Sequence, residues 1–112
     1  MNRIQLLSLV ALSLSLAACN SSYDGVCDKR TKCIGGNDKD KQACIDGYEA
    51  QEREANDYGC GSQYSDFHNC VTKDTNYSCN NGNFQINSSC SGDKVAACEF
   101  SNSGVKTGNG KP

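Results

Sequence analysis

Residues 37–70 read NDKDKQACIDGYEAQEREANDYGCGSQYSDFHNC, and the pattern in this stretch decides the fold class. Asn37 is a good helix N-cap, and Asp38 and Asp40 set negative charge against the positive end of a helix. Cys44, Tyr48, Gln51, Ala55 and Tyr58 then recur at alternating steps of four and three, a stripe along one side of a helix. Glu49, Glu52, Arg53 and Glu54 fall on the opposite side. Gly59 stands where a helix ends on a left-handed residue. Ser62 is placed to cap a second helix, whose stripe is Tyr64, Phe67 and Cys70 or Val71. With a three-residue break between them, the two read as a helical hairpin.

Towards the C-terminus, residues 72–89 are rich in Asn, Ser, Thr and Gly, and Asn81-Gly82 is a strong turn signal. Tyr77, Phe84 and Ile86 suit short extended segments around it. Ser91 is placed to cap a last short helix through Val95, Cys98 and Phe100, with Asp93 in its first turn. Residues 101–112 are expected to be a disordered tail. Towards the N-terminus, residues 27–36 read as a basic, irregular run containing Lys29, Arg30 and Lys32, preceded by a polar tether at 19–26. The cysteine-rich domain is expected at 27–100.

Composition explains why such a domain needs covalent help. The first 18 residues hold every leucine in the chain. The other 94 contain only ten Val, Ile or Phe residues, together with eight of the nine cysteines once Cys19 is set aside. Folding costs roughly 1–2 kcal/mol of backbone entropy per residue, which ten such side chains cannot offset. Large cofactor folds, P-loop NTPases and multispanning membrane proteins are excluded on the same grounds. The chain without Arg3 carries 10 basic and 13 acidic side chains and no basic stripe, which argues against a nucleic-acid partner.

Met1-Asn2-Arg3, the apolar run from Ile4 to Leu16 and the small residues after it describe a secretory signal over residues 1–18. The apolar run is too short for a spanning helix, because polar sequence begins at Asn20. Its last residues, Leu16-Ala17-Ala18-Cys19, resemble the lipobox of bacterial lipoproteins and match that pattern at all four positions. An ordinary secretory signal would place a small residue where Leu16 stands. The resemblance covers only the first 19 or so residues. It implies that the Cys19 thiol, nucleophilic as its thiolate, is alkylated with diacylglycerol, that cleavage occurs before it, and that the new amine is acylated. It also implies an address in a bacterial envelope. Asn20, in place of the Asp that retains such proteins in the inner membrane, points to the outer membrane.

With Cys19 committed to lipid, Cys27, Cys33, Cys44, Cys60, Cys70, Cys79, Cys90 and Cys98 remain, an even number able to close into four disulfides. Each bridge typically contributes 2–4 kcal/mol. Zinc sites need cysteines two to four residues apart, and the gaps here run from 5 to 15 with no Cys-x-x-Cys. That spacing excludes thioredoxin-like chemistry and haem attachment as well. Nor is there the adjacent Cys-Cys pair of plant lipid-transfer proteins or the Cys-x-Cys of fungal haem-capturing domains. The spacing does not choose among 105 connectivities, although Cys79–Cys90 across the Asn81-Gly82 turn is the favoured local bridge. The expected fold is therefore small, disulfide-rich and mainly α: a helical hairpin plus a short C-terminal helix.

No catalytic residue, metal site or cofactor is assigned. His68, the only histidine, follows Ser65-Asp66-Phe67, and on a helix those side chains do not converge as a nucleophile–base relay. It reads as a surface residue beside the buried stripe. Glu49, Glu52, Glu54 and Asp57 read as a solvated face with an Arg53–Asp57 pair. Asn37-Asp38-Lys39-Asp40 lacks the Gly and closing Glu of a calcium loop. Lys29, Arg30 and Lys32 could touch lipid head groups close to the anchor. The expected function is that of a non-enzymatic binding module, its partners a membrane through the lipid and a protein or glycan through a Tyr-bearing surface. An adhesion factor or an inhibitor of a hydrolase would be specific forms of it. The alternative is a small secreted enzyme or toxin, which would gather His68 and two carboxylates in one polar pocket.

Overall fold

Asn37 caps a helix as its side chain allows: in the computed structural model, which describes residues 21–104, Asn37 Oδ1 accepts from the amides of Lys39 and Asp40. Asp40 Oδ2 accepts in return from the Asn37 amide at 2.8 Å, completing a capping box. This helix, α2, spans Asp38–Asp57, behind the shorter α1 at Asp24–Ile34. Helix α3 follows at Gly61–Val71, then a single 3-10 turn at Asp74–Asn76. Strands β1 (Tyr77–Asn80) and β2 (Asn83–Ile86) form an antiparallel hairpin, and α4 closes the order at Asp93–Asn102. The expected fold class holds, with α1 added to it.

Helix α1 replaces the expected irregular run, and the folded body starts before Cys27. Tyr23 and Val26, placed by sequence in a tether, are each 1% exposed and belong to the core. The inward face of α1 is Tyr23, Val26, Cys27 and Thr31, a helical spacing hidden by its polar composition. Asp24 in its first turn and Lys32 in its last suit the helix dipole. Gly35, at φ 71°, ends it, and the Gly36 amide donates back to the Thr31 carbonyl. The same motif ends α2: Gly59 sits at φ 73°, and the Cys60 amide donates to the Ala55 carbonyl at 2.7 Å. That turn leads straight into α3, with the Cys60 carbonyl already accepting from Tyr64. Ser62 therefore lies exposed inside α3 instead of capping it.

The buried face of α2 is rotated from the expected stripe. Ile45 and Ala55 are buried and Cys44, Tyr48 and Glu52 half-buried, whereas Gln51 and Tyr58 are exposed. Asn81 and Gly82, at φ 50° and 79°, form the hairpin turn and set Tyr77 opposite Ile86 and Cys79 opposite Phe84. Those four side chains point inward, and Ser78, Asn80, Asn83 and Gln85 point out. Ser91 Oγ accepts from the Asp93 amide at the start of α4, as its position predicts. Helix α4 runs through Ser101 and Asn102, which corrects the expected start of the tail at 101. The signal segment, Cys19 and the tail beyond 104 lie outside the described residues.

Four disulfides staple these elements: Cys27–Cys44 joins α1 to α2, and Cys33–Cys79 joins α1 to β1. Cys60–Cys98 holds α4 to the α2–α3 turn, and Cys70–Cys90 holds the segment after β2 to α3. The favoured local bridge Cys79–Cys90 does not form. Cys79 faces inward from β1 towards α1, and a turn in which Asn87 Oδ1 accepts from the Ser89 amide carries Cys90 to α3. Cys27 and Cys60 are both fully buried, so two of the bridges are themselves part of the core. Tyr23, Val26, Ile45, Ala55, Tyr64 and Val95 complete it.

Candidate functional site

The densest meeting of polar and aromatic side chains lies where the chain enters α1. Tyr23 stacks on Tyr48, ring centroids 4.8 Å apart and planes 5° from parallel. The His68 ring stands nearly perpendicular to Tyr23, the ring centroids 4.9 Å apart. The Tyr23 hydroxyl lies 3.1 Å from Glu52 Oε2 and from the Tyr64 hydroxyl, and the latter donates to the Tyr48 carbonyl at 2.8 Å. Ser21 Oγ donates to Glu49 Oε1. Glu49 and Glu52, expected on the solvated side of α2, therefore face α1 and hold the entering chain.

His68 does not meet Ser65 or Asp66. Its Nε2 lies 2.9 Å from Ser22 Oγ and its Nδ1 is 3.4 Å from Asn69 Oδ1. This Ser22–His68 contact spans 46 positions, and no periodicity in the sequence could have revealed it. The nearby carboxylates are engaged with Ser21 and Tyr23. Two members of a nucleophile–base relay are thus present, but the group orienting the imidazole is a long amide contact instead of a carboxylate.

Burial is the largest cause raising the Tyr23 phenol far above its ordinary range, followed by the Tyr64 hydroxyl and the Glu52 carboxylate. Burial raises Tyr48 and Tyr64 too, and Tyr77 through burial and Asp74. Above the ordinary phenol value of 10.0 the unfolded chain releases protons that the fold retains, so stability must fall as pH rises beyond it. In an alkaline titration the tyrosinate absorbance of Tyr23 and Tyr64 is expected only as the helical circular dichroism collapses. Full tyrosinate absorbance beside intact helices would contradict this packing.

The tyrosines mostly build the interior: Tyr23 and Tyr64 are buried, Tyr48 and Tyr77 half-buried, and of the five only Tyr58 is exposed. The expected Arg53–Asp57 pair is not formed either. The ion pairs among the described residues are Lys32–Asp28 at 2.6 Å and Lys41 with Asp24 and Asp28. Lys32 and Lys41 hold the Asp28 carboxyl below its usual range, Lys32 most strongly. Lys29 and Arg30 remain exposed on α1, and Asn37 and Asp40 are used in the capping box. Among the described residues no group of three His, Cys, Asp or Glu side chains could hold a metal, and no helix is long and apolar enough to cross a membrane.

Several concavities open elsewhere. A groove of about 150 Å³ between α2, α3 and α4 is floored by Tyr64, Phe67 and Val95 and rimmed by Glu54 and Glu99. A larger one, about 530 Å³, lies on the hairpin and is lined by uncharged side chains. No family model, no curated protein and no solved structure matches the chain.

Proposed function

We propose that the chain is a membrane-anchored bacterial envelope lipoprotein whose disulfide-bonded domain is a non-enzymatic binding module. The observation carrying it is the division of the cysteines. Leu16-Ala17-Ala18-Cys19 supplies a lipidation motif, and the other eight cysteines are all closed on one another in four bridges, leaving none of them to pair with Cys19. Several acyl chains on one cysteine give firm anchoring, at about 0.8 kcal/mol per buried methylene. Because Ser21 is already bonded to Glu49, a single residue separates the anchor from the domain, which rests close to the bilayer. The turn at Asn81-Gly82, where Gly82 approaches the Cys33 carbonyl at the far end of α1, then lies away from it. Asn20 supports the outer membrane as the address.

Expression of the full chain in an exporting bacterium tests the anchor. The wild type is expected in the detergent phase of a Triton X-114 partition and Cys19→Ser in the aqueous phase. Wild type in the aqueous phase would overturn the lipid assignment.

The Ser22–His68 contact favours a second reading, a small serine-dependent enzyme. A fluorophosphonate probe separates the two: the binding module leaves Ser22 unlabelled, and a covalent adduct on Ser22 would establish the enzyme.

A further inference from the structure

Residues 75–92 form an 18-residue run without a single charge, in a chain whose charged residues make up 21% of the whole. Turn chemistry explains part of it. Asn81 and Gly82 take the left-handed conformations of the hairpin turn. Asn76 donates to the Cys70 carbonyl, and Asn87 Oδ1 accepts from the Ser89 amide. Core packing, two disulfides and the Ser91 contact at the start of α4 explain more of it, but not four polar side chains of the hairpin and its flanks. Thr75, Ser78, Gln85 and Ser88 line the 530 Å³ concavity, and among the described residues their side chains make no hydrogen bond. Ser78 and Gln85 are directly opposed on the outward face of the hairpin, a cross-strand spacing of about 5 Å.

We propose that this concavity binds an uncharged oligosaccharide, a proposal that rests on the chain being a binding module. The chemistry of the lining selects the class. With no charged side chain on the wall, a phosphate, a nucleotide or an acidic or basic peptide would shed its hydration without a compensating partner. Protein contact patches concentrate aromatic, Met and Arg side chains at their centres and are poor in serine, the reverse of this wall. Sugar hydroxyls both donate and accept, and hydroxyl and carboxamide side chains do the same from a single position. The volume is within the range of sites for small ligands.

The site is also rigid. Cys33–Cys79 fastens β1 to α1, and Cys70–Cys90 fastens the segment beyond β2 to α3, so both walls are pinned by a disulfide. A backbone already held in place lowers the ordering cost when a ligand arrives. An uncharged ligand also makes the affinity insensitive to salt, because no ion pair is there to be screened.

The test is an amide-resolved NMR titration of the full chain, processed by its host and purified in detergent micelles, with cellohexaose, maltohexaose and chitohexaose at millimolar concentration. At least one of the three is expected to shift amides confined to 75–78 and 85–88. Its affinity should be the same at low and high salt and about tenfold weaker in Gln85→Ala, the loss of one net hydrogen bond. Gln85 is exposed, so the spectrum outside the hairpin should be unchanged in that variant and report an intact fold. Absence of shifts with all three sugars, shifts centred elsewhere, or equal binding by Gln85→Ala would overturn the assignment. Such a failure is distinguishable from failure of the binding-module reading, which is read out by labelling of Ser22, and from failure of the anchor, read out by detergent partition.

Discussion

Thermal unfolding of the Cys60→Ala/Cys98→Ala double variant is expected to show a midpoint lower by at least about 16 °C than that of the wild type. The bridge closes a separation of 38 residues, for which the chain-entropy relation gives about 4 kcal/mol. A domain of this size has only about 4–13 kcal/mol in total. Cys60 is also fully buried, so its removal takes packing from the core as well as a cross-link. Asn102 Nδ2, which donates to the Tyr58 carbonyl beside this bridge, would lose its fixed position as α4 loosens. Cys27→Ala/Cys44→Ala closes a separation of only 17 and is worth about 3 kcal/mol on the same relation, so its midpoint should fall less. Circular dichroism melts of both variants check the ranking. A loss below about 1 kcal/mol at Cys60–Cys98 would mean that the apolar core suffices without it, against the entropy arithmetic.

The second large effect is expected at Tyr23. Replacing this 1% exposed ring by alanine deletes the stack on Tyr48 and the edge contact with His68. Truncation of a buried aromatic side chain costs about 3–5 kcal/mol, which corresponds here to at least about 12 °C in the melting midpoint. Tyr23→Phe keeps the ring and removes only the hydroxyl shared between Glu52 and Tyr64, so it should cost about 1–3 kcal/mol. Denaturant melts of both variants separate ring from hydroxyl. An alanine variant as stable as the phenylalanine one would show that the ring adds nothing to the core.

The helical hairpin, its glycine stop and the strand turn were legible because each has a local cause. Asn37 and Asp40 cap one another, Gly59 takes a conformation other residues resist, and Asn81-Gly82 forms a turn whatever surrounds it. Helix α1 was not legible because its inward face is made of Tyr23, Cys27 and Thr31 beside one valine, side chains that do not read as an apolar stripe. Gly35-Gly36, the left-handed stop that ends it, was the available signal. The rotation of α2 follows from the same cause. Glu52 reads as solvent-facing until the buried Tyr23 hydroxyl supplies it with a partner 29 positions away. Disulfide pairing and the Ser22–His68 contact depend on tertiary packing, which local pattern does not encode. The uncharged run at 75–92 was visible as composition, but only the fold shows that its unpartnered side chains line one concavity.

The distinct employment of Cys19 and of the other eight cysteines is tested most directly by mass spectrometry of the processed protein, alkylated without reduction and digested. The expected result is an N-terminal peptide carrying diacylglycerol on Cys19, no alkylated thiol, and linked peptides joining Cys27 to Cys44, Cys33 to Cys79, Cys60 to Cys98 and Cys70 to Cys90. An unmodified Cys19 thiol, or Cys19 found in a bridge while one of the other eight takes up the alkylator, would contradict it.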